Sequence, residues 1–134
     1  MKSSVSILIV DDEQMMRSLL EKILVREGYK ILTAENGVEA LELLQAQKID
    51  MVISDIKMPR MNGFELLKVL KEEHPDIGVI MMTAYGDTYT VKDALLLGAD
   101  EYITKPFKSH EISLVVERAY WRLVSIGKVQ ADSP

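Results

Sequence analysis

Five short, largely apolar runs separated by stretches of helical periodicity constrain this chain more than anything else in it. The runs are Ile7-Leu8-Ile9-Val10, Ile31-Leu32-Thr33-Ala34, Met51-Val52-Ile53-Ser54, Val79-Ile80-Met81-Met82 and a shorter one over residues 101–104. A strand with one face in water alternates apolar and polar residues. These runs mostly do not, so they read as strands covered on both faces, as in a parallel sheet. Between them the period changes. Met16, Leu19, Leu20, Ile23 and Leu24 fall at i, i+3, i+4, i+7 and i+8, one inward face of a helix over residues 13–27 that Gly28 ends.

Asn36 and Glu39 stand three apart, the spacing of a capping box, ahead of a helix with Leu41 and Leu44 inward. Asn62 and Glu65 repeat that spacing after a turn-rich loop at residues 59–63. Phe64, Leu67 and Leu70 follow, and Pro75 stops the helix. Val91, Ala94 and Leu95 suggest a fourth helix closed by Gly98. Ile112, Val115, Val116, Ala119 and Leu123 give a long fifth one, with Ser109 as the expected N-cap. Five strand–helix pairs in alternation imply an α/β fold, a parallel sheet with helices on both faces and right-handed crossovers.

Composition enters as a set of limits. A chain of 134 residues is one domain, large enough to bury a core without staples. The domain is expected over residues 1–126, with 127–134 a polar tail or the start of a linker. With 48% hydrophobic and 28% charged residues the chain is not disordered. It has no cysteine, which excludes disulfides, thiolate metal sites and a cysteine nucleophile, and which fits the cytoplasm. A formal charge of -5 disfavours nucleic-acid binding. No apolar run approaches the ~18 residues of a membrane span. The first run is short and is followed by Asp11, Asp12 and Glu13, unlike a signal peptide.

In parallel sheets ligands sit beyond the carboxyl ends of the strands, near the switch in strand order. Those ends are informative here. The first strand leads into Asp11-Asp12, the third into Asp55, the fourth into Thr83 and the fifth into Lys105-Pro106. Each has an ordinary structural reading by itself. The acids suit a helix start, Asp55 a turn, Thr83 a strand, and Lys105 a solvated position before a proline. Together they bring three carboxylates, a hydroxyl and an ammonium to one edge, which no single structural reading requires. Three carboxylates without a cation repel one another and raise some pKa values. Mg2+, a hard ion that takes carboxylate and phosphate oxygens, removes that conflict. A carboxylate can then act as nucleophile toward phosphorus, with metal, ammonium and hydroxyl spreading the transferring charge.

The sequence here resembles the receiver domain of two-component response regulators, the family of the chemotaxis regulator CheY. The matching segments are Ile7 through Glu13, Ser54-Asp55-Ile56-Lys57-Met58-Pro59, Met61-Asn62-Gly63, Met82-Thr83-Ala84, Gly98-Ala99-Asp100 and Tyr102-Ile103-Thr104-Lys105-Pro106-Phe107, within about residues 5–124. The resemblance implies a flavodoxin-like doubly wound (βα)5 fold with strand order 2-1-3-4-5. It implies Asp55 as phosphoacceptor and Mg2+ ligand, Asp12 as a direct Mg2+ ligand, Asp11 as a ligand through water, and the backbone carbonyl of Lys57 as the remaining protein ligand. Thr83 would bond the phosphoryl group, Lys105 would pair with Asp55 and then with phosphoryl oxygens, and Tyr102 would be the aromatic switch. A cis peptide before Pro106 is also implied. Lys57 and Tyr85 occupy positions that tune phosphoryl lifetime in the family. The implied partners are a sensor histidine kinase, a second copy in a homodimer, and a downstream output domain absent from this chain. The implied activity is a phosphorylation switch with transcriptional regulation as its output, and not an enzyme beyond its own phosphorylation and dephosphorylation.

Other classes fit less well. A Mg2+-dependent aspartyl-phosphate phosphohydrolase of the haloacid dehalogenase type needs Asp-x-Asp after the first strand, where this chain has Asp11-Asp12-Glu13, and usually needs cap insertions. A flavodoxin-type carrier needs a Ser/Thr-rich phosphate loop there. A dinucleotide fold needs Gly-x-Gly-x-x-Gly, which does not occur. His74 and His110 read as solvated residues near helix ends. Tyr120, Trp121, Val124 and Ile126 extend the apolar character of the fifth helix, as packing of one helix edge or as a junction with a partner.

Overall fold

The computed structural model describes residues 2–84 and 91–129. Elements run in the order β1 (Ser6–Val10), α1 (Gln14–Arg26), β2 (Lys30–Ala34), α2 (Gly37–Ala46), β3 (Met51–Asp55), α3 (Gly63–Glu73), β4 (Gly78–Ala84), α4 (Val91–Leu96), β5 (Glu101–Lys105) and α5 (Ser109–Ser125), after a short 3-10 turn at Lys2–Ser4. The five strands are parallel and ordered β2-β1-β3-β4-β5, the expected topology. Order reverses between β1 and β3, so the crevice beyond their carboxyl ends is the natural ligand position.

Two cores explain why the strand runs do not alternate. Ile7, Ile9, Met51, Ile53, Ile80, Met82 and Ile103 face one side and pack with residues of α1 and α5, among them Leu20, Leu24, Ile112, Val116 and Leu123. Leu8, Val10, Val52, Val79 and Met81 face the other side and pack with Ala40 and Leu44 of α2, Leu66, Leu67 and Leu70 of α3, and Ala94 of α4. Both faces of each central strand are therefore dry, and consecutive residues are apolar, each packing into one core or the other. The edge strand β5 departs from this: Glu101 and Ile103 are buried while Tyr102 and Thr104 are exposed.

Several local expectations need correction. Leu19 is 44% exposed, not inward, and Met16 and Ile23 are half-buried, because only the Leu20–Leu24 row of α1 points squarely at the sheet. At α2 only half of the capping box forms: Asn36 Oδ1 accepts the Glu39 N–H at 2.9 Å. At α3 both halves form, with Glu65 N–H on Asn62 Oδ1 at 2.9 Å and Asn62 N–H on Glu65 Oε1 at 3.1 Å. The cap of α5 falls one residue earlier than Ser109. Lys108 holds that position, and its N–H is taken by the Glu111 carboxylate at 2.9 Å. Tyr120 is wholly buried and belongs to the core, while Trp121 and Ile126 are exposed. His74 caps α3 half-buried, and His110 is exposed. Among the described residues no helix is long and apolar enough to cross a membrane.

Candidate functional site

Asp11 follows the last residue of β1, Asp55 ends β3, Thr83 is the penultimate residue of β4 and Lys105 ends β5. Parallel pairing in register brings these ends to one edge: Val10 pairs with Ser54, Asp55 with Met82, and Thr83 with Thr104. The carboxylates of Asp11, Asp12 and Asp55 each offer an oxygen within 4.8 Å of the other two. Lys105 Nζ stands 3.2 Å from Asp11 Oδ2 and 3.2 Å from Asp55 Oδ2. Asp11 is fully buried, Asp55 and Thr83 are buried, and Asp12 is exposed.

The two buried carboxylates are oriented by the main chain. Asp11 Oδ1 accepts the Glu13 N–H at 2.9 Å, and Asp55 Oδ1 accepts the Ile56 N–H at 2.8 Å. Each acid thus presents one oxygen to a peptide and the other to the ammonium. Burial pushes the Asp55 carboxyl above its ordinary range; the Lys105 ammonium opposes this and the neighbouring Asp11 charge adds to it. Burial alone would weaken the Lys105 ammonium, but Asp55 and Asp11 outweigh it and hold its pKa above the usual lysine value. The pair is therefore unequal: one ammonium, shared between two acids, does not offset the desolvation of Asp55.

The donor set suits a divalent hard cation. Three carboxylates face one ammonium, which leaves the cluster two charges short of neutrality. Beside Asp12 the surface opens into a shallow depression lined by Ile56, Lys57, Met58, Pro59 and Asn62. This is an accessible edge, suited to a small charged group delivered from outside, and not an enclosed substrate cavity. The Lys105–Pro106 peptide is cis, as expected. Tyr102 pairs in register with Met81 and is 38% exposed, with its ring outside the core. Tyr85 lies outside the described residues.

Sequence reasoning missed residues that hold the site without facing it. Gly63 stands in the sequence as a turn residue and as part of the matching segment Met61-Asn62-Gly63, with no packing role assigned, yet its N–H bonds the Ile56 carbonyl at 2.8 Å and its α-carbon lies against the Asp55 main chain. Arg17 was not singled out, yet its guanidinium bonds the Asp11 carbonyl. A cation in the first turn of a helix is the wrong sign for the helix dipole, and that was the available signal.

The chain matches the family description "Response regulator receiver domain" over residues 7–117. It is 43% identical over 111 residues to the DNA-binding transcriptional regulator NtrC of Escherichia coli (strain K12), covering 83% of this chain and 24% of that protein. It is 40% identical over 112 residues to sporulation initiation phosphotransferase F of Bacillus subtilis (strain 168), covering 84% and 90%. A crystal structure of a response regulator receiver domain protein from Clostridium thermocellum superposes with a TM-score of 0.84 at 31% identity, covering 91% of this chain and 98% of that one. The chain spans about a quarter of the length of the NtrC proteins it matches (24%).

Proposed function

The chain belongs to the response regulator receiver domain family, and on that premise we propose that Asp55 accepts a phosphoryl group from a phosphohistidine of a sensor histidine kinase in a Mg2+-dependent reaction. The observation that carries this reading is Lys105 Nζ at 3.2 Å from both Asp11 and Asp55, inside a three-carboxylate cluster at the switch in strand order.

The step balances simply. An Asp55 carboxylate oxygen forms the new bond to phosphorus as the bond from phosphorus to the donor imidazole nitrogen breaks, and that nitrogen keeps the electron pair. Asp12 and Asp55 would hold Mg2+, Asp11 would bind it through water, and the Lys57 carbonyl would complete the protein's share. Bound there, Mg2+ supplies charge neutralisation for the acids and for the transferring group. Lys105 would pass from its two acids to the phosphoryl oxygens, so its charge stays compensated throughout. The Thr83 hydroxyl would donate to a phosphoryl oxygen, and Tyr102 would move inward as Thr83 shifts toward the phosphate. The chain's chemistry is then confined to its own phosphorylation and dephosphorylation.

The phosphorylated domain, residues 1–126, would act in the cytoplasm through its α4-β5-α5 surface on a second copy or on an output module beyond the tail at 127–134. Likeness to about a quarter (24%) of a DNA-binding transcriptional regulator supports transcriptional control as the output. Intact mass after incubation with a small acyl phosphate and Mg2+ tests the centre of this reading. One phosphoryl group is expected on the wild type and none in EDTA. The same gain on Asp55→Asn sinks the assignment.

A further inference from the structure

Asp11 has both of its main-chain groups tied to the β2 side of the site. Its N–H bonds the Ala34 carbonyl at 3.1 Å. Its carbonyl accepts from Arg17 Nη1 at 2.6 Å, and Nη2 of the same guanidinium stands 3.8 Å from Glu35 Oε1, on the residue after Ala34. Arg17 belongs to the first turns of α1, and its side chain is only 14% exposed. A cation there opposes the dipole of its own helix, and α1 opens without any side-chain cap. Helix stability does not account for the residue.

The bonded carbonyl belongs to the peptide that joins Asp11 to Asp12. The plane of that peptide fixes the angle between the two carboxylates. Asp11 has further anchors of its own, the Glu13 N–H and the Lys105 ammonium. Asp12 is exposed, so its carboxylate is placed chiefly by the backbone that carries it. We propose that Arg17 is a positioning residue for the metal site: bridging the Asp11 carbonyl and Glu35, it locks the Asp11–Asp12 peptide so that both carboxylates converge on one cation. The planar fork of arginine suits this bridge, and lysine has only one nitrogen to offer.

The proposal rests on the Mg2+ reading above, and its test separates the two. Backbone amide NMR shifts of the folded protein, followed through a MgCl2 titration, give the metal affinity without any phosphodonor and independently of global stability. Wild type is expected to bind. R17M is expected to bind about 10–100-fold more weakly, the usual loss when a partner behind the ligands is removed. The sign is decisive. Were Arg17 merely a nearby charge, removing it would leave Mg2+ affinity higher; were it idle, affinity would not change. Either result for R17M overturns the proposal while leaving the metal site standing. R17K should recover part of the loss. Should R17M not fold, R17K decides: it keeps the charge but cannot span Asp11 and Glu35, and affinity equal to wild type overturns the proposal. A wild type that takes up no Mg2+ overturns the metal reading itself and this inference with it.

Discussion

Gly63 stands so close to Asp55 that a β-carbon on it would overlap the Asp55 carbonyl oxygen and come within 2.8 Å of the Ile56 α-carbon. The obstacle is main chain, which cannot swing aside as a side chain can. The start of α3 is thus seated directly on the strand end that carries the Asp55 carboxylate, and the Gly63 N–H is bonded to the Ile56 carbonyl. Gly63→Ala is expected to destabilise the domain by about 1–3 kcal/mol, the range for overpacking, and to displace Asp55. Urea titration would read the first effect and phosphoryl uptake the second. Wild-type stability in the variant would mean that the contact is slack.

Burial of Asp55 makes the metal-free fold depend on pH in a definite direction. A carboxyl raised in the folded state favours folding while protonated. That contribution is full below the ordinary value of 3.8 and is lost as pH rises through the folded value. Lys105 is also raised, so its contribution persists up to its ordinary value of 10.5 and is lost only above that, outside the acidic window. In EDTA, Asp55→Asn should be more stable than wild type at pH 7, by about 1 kcal/mol, the ordinary scale of a single substitution. The gap should close as pH falls toward 4. Denaturant midpoints across that range check it, and a gap that widens on acidification contradicts the effect of burial on Asp55.

Arg60 adopts φ 68°, the left-handed region, in the loop between β3 and α3. An L side chain there costs about 1–2 kcal/mol, and glycine recovers that at about 0.5–1 kcal/mol of chain entropy. Arg60→Gly is expected to stabilise the domain by roughly 0.5–1 kcal/mol. An unchanged or lower unfolding midpoint would show that the arginine side chain contributes more than its backbone conformation costs.

The strand ends were legible in sequence because a doubly covered strand has an unmistakable composition, and because the residues that follow it must lie at the functional edge. Asp11, Asp55, Thr83 and Lys105 were found that way. What stayed hidden depends on close approach or on angle. The role of Gly63 follows from a neighbour eight residues earlier, packed against it only after β3 and α3 dock. Leu19 fits the apolar period of α1 as well as Leu20 does, yet the sheet covers one row and leaves the other in water. Ser109 is a better cap by residue type than Lys108, but Glu111 reaches back to Lys108 and the boundary shifts by one residue.

The proposed output surface lies on the β4-β5 side of the sheet. The phosphoryl group proposed for Asp55 would be too small to reach a distant partner, so its effect would have to pass through an element with two states. Thr83 and Tyr102 lie on the paired strands β4 and β5, and Tyr102 is 38% exposed. β5 is tied to α5 through Glu101, which pairs with Arg118 at 2.7 Å and Arg122 at 2.9 Å. On the α4 side, Leu95, Leu96 and Leu97 are 49%, 74% and 45% exposed. Inward movement of Tyr102 would therefore alter a surface that already presents apolar side chains beside a strand linked to α5. A beryllofluoride phosphoryl mimic is expected to change hydrogen-exchange protection over residues 91–110, with a coupling of about 1–3 kcal/mol, as for allosteric effects generally. Changes confined to the loops around Asp12 and Asp55 would falsify the coupling and leave the proposed acceptor Asp55 without a route to this face.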